Sequence, residues 1–448
     1  MVKERRLTRK MFGPALAAAL IGMCVQAAQA IPSFARQTNL SCNACHNGFP
    51  KLNSFGRLFK LNAYTMTGIK EIESTGKNNP SLKLTSFMPM SAMVQTSVTS
   101  IRTAEPSKKS FDVELPQQLS FFLAGEITPH LGTFIQATYD DQSGAFSWDN
   151  ADIRLATRTK LGRKRAIVGL TLNNNPTVQD VWNTTPAWSF PFVASGVAPA
   201  VQASPLAAGP LAQQVAGLGA YAFYNNAVYG ELSFYASTPQ GGPHPADETS
   251  TDTLAGANPY WRLAYQARLG ASHILEVGTY GFSARLYPEG IVGPTDRFTD
   301  LALDIQYEQP LGPGGLSVYA NWVHERQNLQ ASFLAGNVSQ APGHVDSIAA
   351  NAAYILRNTY GLTVGVFSLL GTGDPILYVP ESVTGSRRHR PNGTGLIFEV
   401  TVYAWQNAML ALQYTLYTEF NGARTNYDGF GRNASDNNTL YAVLWIAF

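Results

Sequence analysis

Asp300-Leu301-Ala302-Leu303-Asp304-Ile305-Gln306 alternates polar and apolar side chains. A strand has a two-residue side-chain period, so Leu301, Leu303 and Ile305 share one face while Asp300, Asp304 and Gln306 share the other. An apolar face with no second sheet to cover it asks for a non-aqueous surround. Working outward from this run, the same unit recurs from about residue 82 to the C-terminus: roughly ten residues of alternating character, then a turn. Sixteen strands are expected, at about 82–98, 113–127, 132–141, 150–158, 165–173, 215–224, 227–237, 259–268, 273–285, 298–308, 315–327, 345–356, 361–370, 393–404, 408–420 and 437–448.

The links between these runs sort by length. Those after even-numbered strands are short, as at Asn225-Asn226 and Trp405-Gln406-Asn407, whereas the longest link after an odd-numbered strand runs from Asn174 to Gln214. Short turns on one rim and long loops on the other are the pattern of bacterial outer-membrane barrels, with the short turns in the periplasm. The last run ends on Phe448, which shares a face with Leu440, Ala442, Leu444 and Ile446. A soluble sandwich would need two edge-protected sheets and rarely repeats one meander for this length. Composition agrees with a barrel: only 14% of residues are charged, against 20 Tyr and 23 Phe. Strand parity turns Asp152, Arg154 and Arg158, then Arg262, Gln266 and Arg268, and Glu399, into the lumen. The fold class expected is all-β: a 16-stranded antiparallel transmembrane barrel with a short N-terminal helical segment inside or at the periplasmic mouth of the pore.

The chain reads as three parts: an export signal at 1–30, a segment at 31–80 and the barrel at 81–448. The signal has a basic start (Lys3, Arg5, Arg6, Arg9, Lys10), an apolar stretch too short to span a bilayer, and Ala28-Gln29-Ala30 as its cleavage site. The chain that remains is close to neutral, which gives no nucleic-acid signature. Cys24 leaves with the signal, so Cys42 and Cys45 are the two cysteines that stay. They stand in Cys42-Asn43-Ala44-Cys45-His46, the C-x-x-C-H of covalent c-type haem attachment. In that chemistry both thiols add to the haem vinyl groups and the adjacent His is the proximal iron ligand. A disulfide is the plain alternative for two exported cysteines.

The rest of the segment suits a cofactor. Phe55, Leu58, Phe59 and Asn62 fall at helical spacing, which predicts an amphipathic helix from about Leu52 to Tyr64. Arg36 and Arg57 are the candidate propionate partners, since guanidinium matches carboxylate geometry. No second His lies in 31–129, so a distal ligand from the segment or the first strand would be Met. Met93 is the first candidate because it shares the lumen face with Gln95 and Ser97, and Met66 is the alternative. Met88 and Met90 have the opposite parity, and His130 and His273 lie at turns.

Ile31-Pro32-Ser33-Phe34-Ala35-Arg36-Gln37-Thr38, the C-x-x-C-H, and Phe55-Gly56-Arg57-Leu58-Phe59-Lys60-Leu61-Asn62 together resemble the fused monohaem cytochrome c–porins of the bacterial outer membrane, which include outer-membrane iron oxidases. Ala63 departs from the Gly expected before the Tyr. The resemblance implies one covalent c-type haem in a pore, lipid around the barrel, an extracellular reductant such as Fe(II), and a periplasmic c-type cytochrome or other carrier that takes the electrons. Two other functions remain open: a diffusion porin with the segment as plug or gate, and a haem peroxidase-like enzyme with an open sixth position. No loop carries a compelling iron cluster. Asp140-Asp141 and Arg387-Arg388-His389-Arg390 read as solvated loop charge.

Overall fold

The computed structural model describes residues 31–66, 71–76, 79–237, 253–270 and 272–448, so the export signal lies outside the described residues. Its dominant feature is one antiparallel sheet closed on itself. The strands are β1 (Met90–Ile101), β2 (Phe111–Thr128), β3 (Leu131–Asp140), β4 (Ala145–Leu161), β5 (Lys164–Asn173), β6 (Ala216–Tyr224), β7 (Val228–Ala236), β8 (Asn258–Leu269), β9 (His273–Tyr287), β10 (Asp296–Leu311), β11 (Gly314–Asn328), β12 (Pro342–Leu356), β13 (Tyr360–Gly371), β14 (Gly393–Trp405), β15 (Ala408–Glu419) and β16 (Thr439–Ala447). Each pairs with its neighbours in sequence, and β16 closes on β1 from Thr439 opposite Ile101 to Ala447 opposite Met93. The barrel therefore has sixteen strands, as the alternation implied.

One strand begins later than expected. The sequence places the first strand at 82–98, but Asn79–Thr85 pairs with Glu71–Gly76 in a separate hairpin and β1 starts at Met90. Pro89 sits at the break, where it has no N–H to give a ladder and only its carbonyl bonds, accepting from Ala124 N.

The two faces divide as the pattern requires. On β10, Leu301, Leu303 and Ile305 are 47%, 52% and 38% exposed, whereas Asp300, Asp304 and Gln306 are buried. Leu362, Val364 and Val366 on β13 and Leu410 and Leu412 on β15 continue the exposed apolar belt around the wall. A belt of this extent is what a barrel presents to hydrocarbon. The even-numbered strands hand over to the next through short turns on one rim, and the odd-numbered ones through longer loops on the other.

The lumen is filled from both rims. From the short-turn rim comes the N-terminal segment, with helices α1 (Pro32–Thr38) and α2 (Ser54–Leu61) and a single 3-10 turn at Cys42–Ala44. Helix α2 starts where Asn53 caps it, its Oδ1 accepting from Phe55 N at 3.0 Å and Gly56 N at 3.1 Å. The chain turns out of it at Ala63 and Tyr64, both at φ 57°. That left-handed conformation costs a non-glycine residue about 1–2 kcal/mol, which explains why Gly suits position 63. The bend is seated against the wall: a side chain at Gly132 would stand 2.0 Å from the Ala63 carbonyl oxygen. From the opposite rim, the connection from β5 to β6 folds inward and meets the segment inside the barrel.

Candidate functional site

Where segment, inward connection and wall meet, they form a partly open cavity. Cys42, Cys45 and His46 line it together. Its walls are mostly apolar: Ile31, Phe34 and Leu40 on one side, Leu52 and Phe59 of the α2 region, Phe134 of β3, and Trp188 of the inward connection. Aromatic contacts fix much of this lining, with Phe34 stacked on Tyr64 at 5.3 Å and Phe134 edge-on to Trp188 at 5.8 Å.

The motif's polar atoms are arranged by the local backbone. The Cys42–Ala44 turn closes with the amides of Cys45 and His46 both donating to Cys42 O, at 3.1 and 3.0 Å. His46 Nδ1 lies 3.1 Å from the Pro50 carbonyl oxygen. A carbonyl only accepts, so Nδ1 carries the proton and Nε2 keeps a free lone pair. Burial pushes the imidazole down to about 4, so it is neutral at physiological pH. Both thiols are free rather than joined. Burial pushes Cys42 up and Cys45 up to about 11, which keeps them protonated. A pair of unjoined thiols and a neutral imidazole with one nitrogen fixed, on one mostly apolar cavity, are the donor set that would hold a c-type haem at Cys42, Cys45 and His46.

The segment is locked to the wall by buried polar contacts. Arg57 grips Glu308 of β10 with Nη1 to Oε1 at 3.1 Å and Nη2 to Oε2 at 2.9 Å, and also donates to Leu52 O. Tyr64 donates to Asp152 of β4 at 2.7 Å, and Tyr221 of β6 donates to Leu61 O at 2.7 Å. Lys60 reaches the inward connection, donating from Nζ to Val178 O at 2.7 Å and Asp180 O at 2.8 Å, with the Trp188 ring centroid 4.4 Å away. Burial pushes Lys60 down to about 7, with the nearby Arg154 cation adding to the effect. The connection has its own anchor: Asp180 pairs with Arg262 of β8, which also meets Glu276 at 3.4 Å and Asp304 at 2.7 Å.

Several residues singled out in the sequence stand elsewhere. Met93 faces inward and is fully buried in the apolar cluster that also holds Phe59, Tyr64, Phe134 and Trp188 of the lining, and Met66 packs against that cluster. Neither is among the residues lining the cavity, nor are Arg36 and Arg57. Arg57 spends its guanidinium on Glu308, and Arg36 donates to the Met90 carbonyl. His130 and His273 bond to Ala156 O and Tyr307 Oη at the short-turn rim. Among the described residues no group of three or more His, Cys, Asp or Glu could hold a metal ion. Sequence reasoning missed Asp180, Asn183 and Trp188, taking 174–214 for an outer loop. Its Trp182, Trp188, Phe190 and Phe192 were the available signal, too many large apolar rings for a solvated loop.

No family model matches the chain, and no curated protein does. Among solved structures it is similar to bacterial porins. OmpF of Salmonella typhi in complex with daunomycin aligns at TM-score 0.47 and 11% identity, over 84% of this chain and 100% of that one. The anion-selective porin from Comamonas acidovorans aligns at 0.46 and 10%, over 80% and 98%. The outer-membrane channel DcaP of Acinetobacter baumannii aligns at 0.45 and 10%, over 80% and 96%. At these identities the likeness is one of barrel shape alone.

Proposed function

We propose that the chain is an outer-membrane electron conduit, in which one c-type haem bound to Cys42, Cys45 and His46 takes electrons from an extracellular reductant and gives them to a periplasmic carrier. The observation that carries this reading is the single cavity lined at once by both thiols and the imidazole. A bound haem supplies a one-electron acceptor and donor. The chain's own residues do the rest. Pro50 O orients the His46 ring, the apolar lining keeps water from the cavity, and the Arg57–Glu308 pair fixes α2 in the wall. With short turns in the periplasm, the segment stands in the periplasmic half of the pore, close to a carrier such as a c-type cytochrome. Ferrous iron suits the donor's role, because its oxidised product precipitates near neutral pH and is best left outside.

A diffusion porin with the segment as plug or gate is the second reading, favoured by the sixteen-strand porin-like wall. One preparation separates the two. The full chain, matured with haem-attachment machinery in an outer membrane, should carry covalent haem through a denaturing gel and be reduced by Fe(II) added to intact cells. Absence of covalent haem, together with solute flux through reconstituted channels, would leave the porin.

A further inference from the structure

The lining of the cavity also bears on the side of the iron that His46 does not occupy. A sixth ligand must reach the same cavity as His46. Once Cys42 and Cys45 are committed as thioethers, the lining side chains that carry a nitrogen or sulfur are His46, Lys60, Asn183 and Trp188, and the Trp188 indole nitrogen only donates, to Val178 O. The Asn183 amide is no amine: its oxygen accepts from Leu52 N and its nitrogen donates to Trp188 O. Both candidate methionines stand outside the lining.

Among the described residues Lys60 Nζ has two hydrogen-bond acceptors, the Val178 and Asp180 carbonyl oxygens. A neutral primary amine has two N–H bonds and one lone pair. Two acceptors therefore satisfy both of its donors and leave the lone pair for a Lewis acid. An ammonium would turn its third N–H to the Trp188 ring, whose centroid is 4.4 Å away, a cation–π contact that the neutral amine gives up. The side chain is 6% exposed, a costly place for a cation without a direct carboxylate partner. Nearby charges come from several elements: Arg154 and Asp152 of β4, Asp180 of the inward connection and Glu231 of β7.

From this arrangement we infer that Lys60 Nζ is the distal ligand of the haem, a role that rests on the proposed binding of haem in this cavity. One N–H bond of the Lys60 ammonium breaks, its proton passing to solvent water, and the electron pair left on Nζ would fill the sixth position of the iron with no change of oxidation state. The inward connection then acts in positioning, because its two carbonyls aim the amine.

The test uses the full-length matured protein in three forms: wild type, Lys60→Arg and Lys60→Ala. Covalent haem measured in denaturing gels reports on the underlying reading, and its absence from wild type would sink that reading first. With haem attached in all three, the wild type should show a low-spin ferric spectrum with an amine–imidazole near-infrared band. Both variants should turn high-spin, because Arg keeps the charge but offers no lone pair. A low-spin spectrum retained in Lys60→Arg overturns the proposal and assigns Lys60 a charge role. So does a high-spin wild type, which means water or an open position. ENDOR on wild type labelled with 15N-lysine needs no variant: a strongly coupled lysine nitrogen supports the assignment, and its absence overturns it.

Discussion

The two inserts that fill this barrel differ in what they bring. The N-terminal segment carries the reactive groups (Cys42, Cys45, His46 and Lys60), whereas the β5–β6 connection contributes carbonyl oxygens, Asn183 and the Trp188 ring. Their anchors are opposite in sign. The segment places a cation, Arg57, on the wall carboxylate Glu308, while the connection places a carboxylate, Asp180, on the wall cation Arg262. Each insert is thus fixed by a charge whose partner is already built into a strand. A charge buried in a crowded lumen is tolerated only when paired. The cavity exists because both anchors hold.

The largest effect should come from removing what is unique to the segment. Cys42→Ala with Cys45→Ala should abolish covalent haem while leaving a heat-modifiable barrel band on a gel. Haem surviving denaturation in that variant would refute the attachment site. Next is the connection's anchor. Arg262→Met leaves Asp180, Asp304 and Glu276 without their shared cation, and breaking such a buried pair costs about 3–5 kcal/mol. Protease should then cut within 174–214 in detergent at levels that leave the wild type intact, while the segment stays docked. Equal protection in both would show that the anchors are not separate.

How much of this contrast is legible in sequence depends on period and punctuation. The wall is legible because runs such as Asp300 to Gln306 state both faces, and the strands fall where alternation puts them. The motif is legible because three residues at fixed spacing carry one chemistry. The connection is not, since nothing periodic tells a long loop that folds inward from one that folds outward. Nor does parity decide ligation: Met93 faces the lumen as expected, yet its side chain is not among those that line the cavity. Nor does the sequence show the Glu308 carboxylate that Arg57 meets, because it lies 251 residues away.

Acid should loosen the segment before the connection. In the Cys42→Ala/Cys45→Ala protein, folded His46 titrates at about 4 instead of 6.5. The undocked segment therefore binds the extra proton first, and docking weakens as pH falls from about 6.5 towards 4. Protease sensitivity within 31–66 should rise across that window, and a flat profile would argue against a buried neutral imidazole. The smallest effect is expected at the connection's ring: Trp188→Phe keeps an aromatic wall but loses the 2.6 Å bond from Nε1 to Val178 O, worth about 1 kcal/mol. Thermal unfolding should register a shift of that order and no more.

The closed seam between β16 and β1 imposes a sequence of manufacture. Phe448 exchanges both backbone bonds with Ala92, so the wall is sealed where the sixteenth strand meets the first. Once it is sealed, Cys42 and Cys45 stand half-buried on a cavity walled by Phe34, Phe59 and Trp188. On the proposed reading, attachment is expected on an unfolded, exported segment, where both thiols are open, while the strands still wait for insertion. Loading precedes closure, like a ship glued to its stand before the bottle is blown around it.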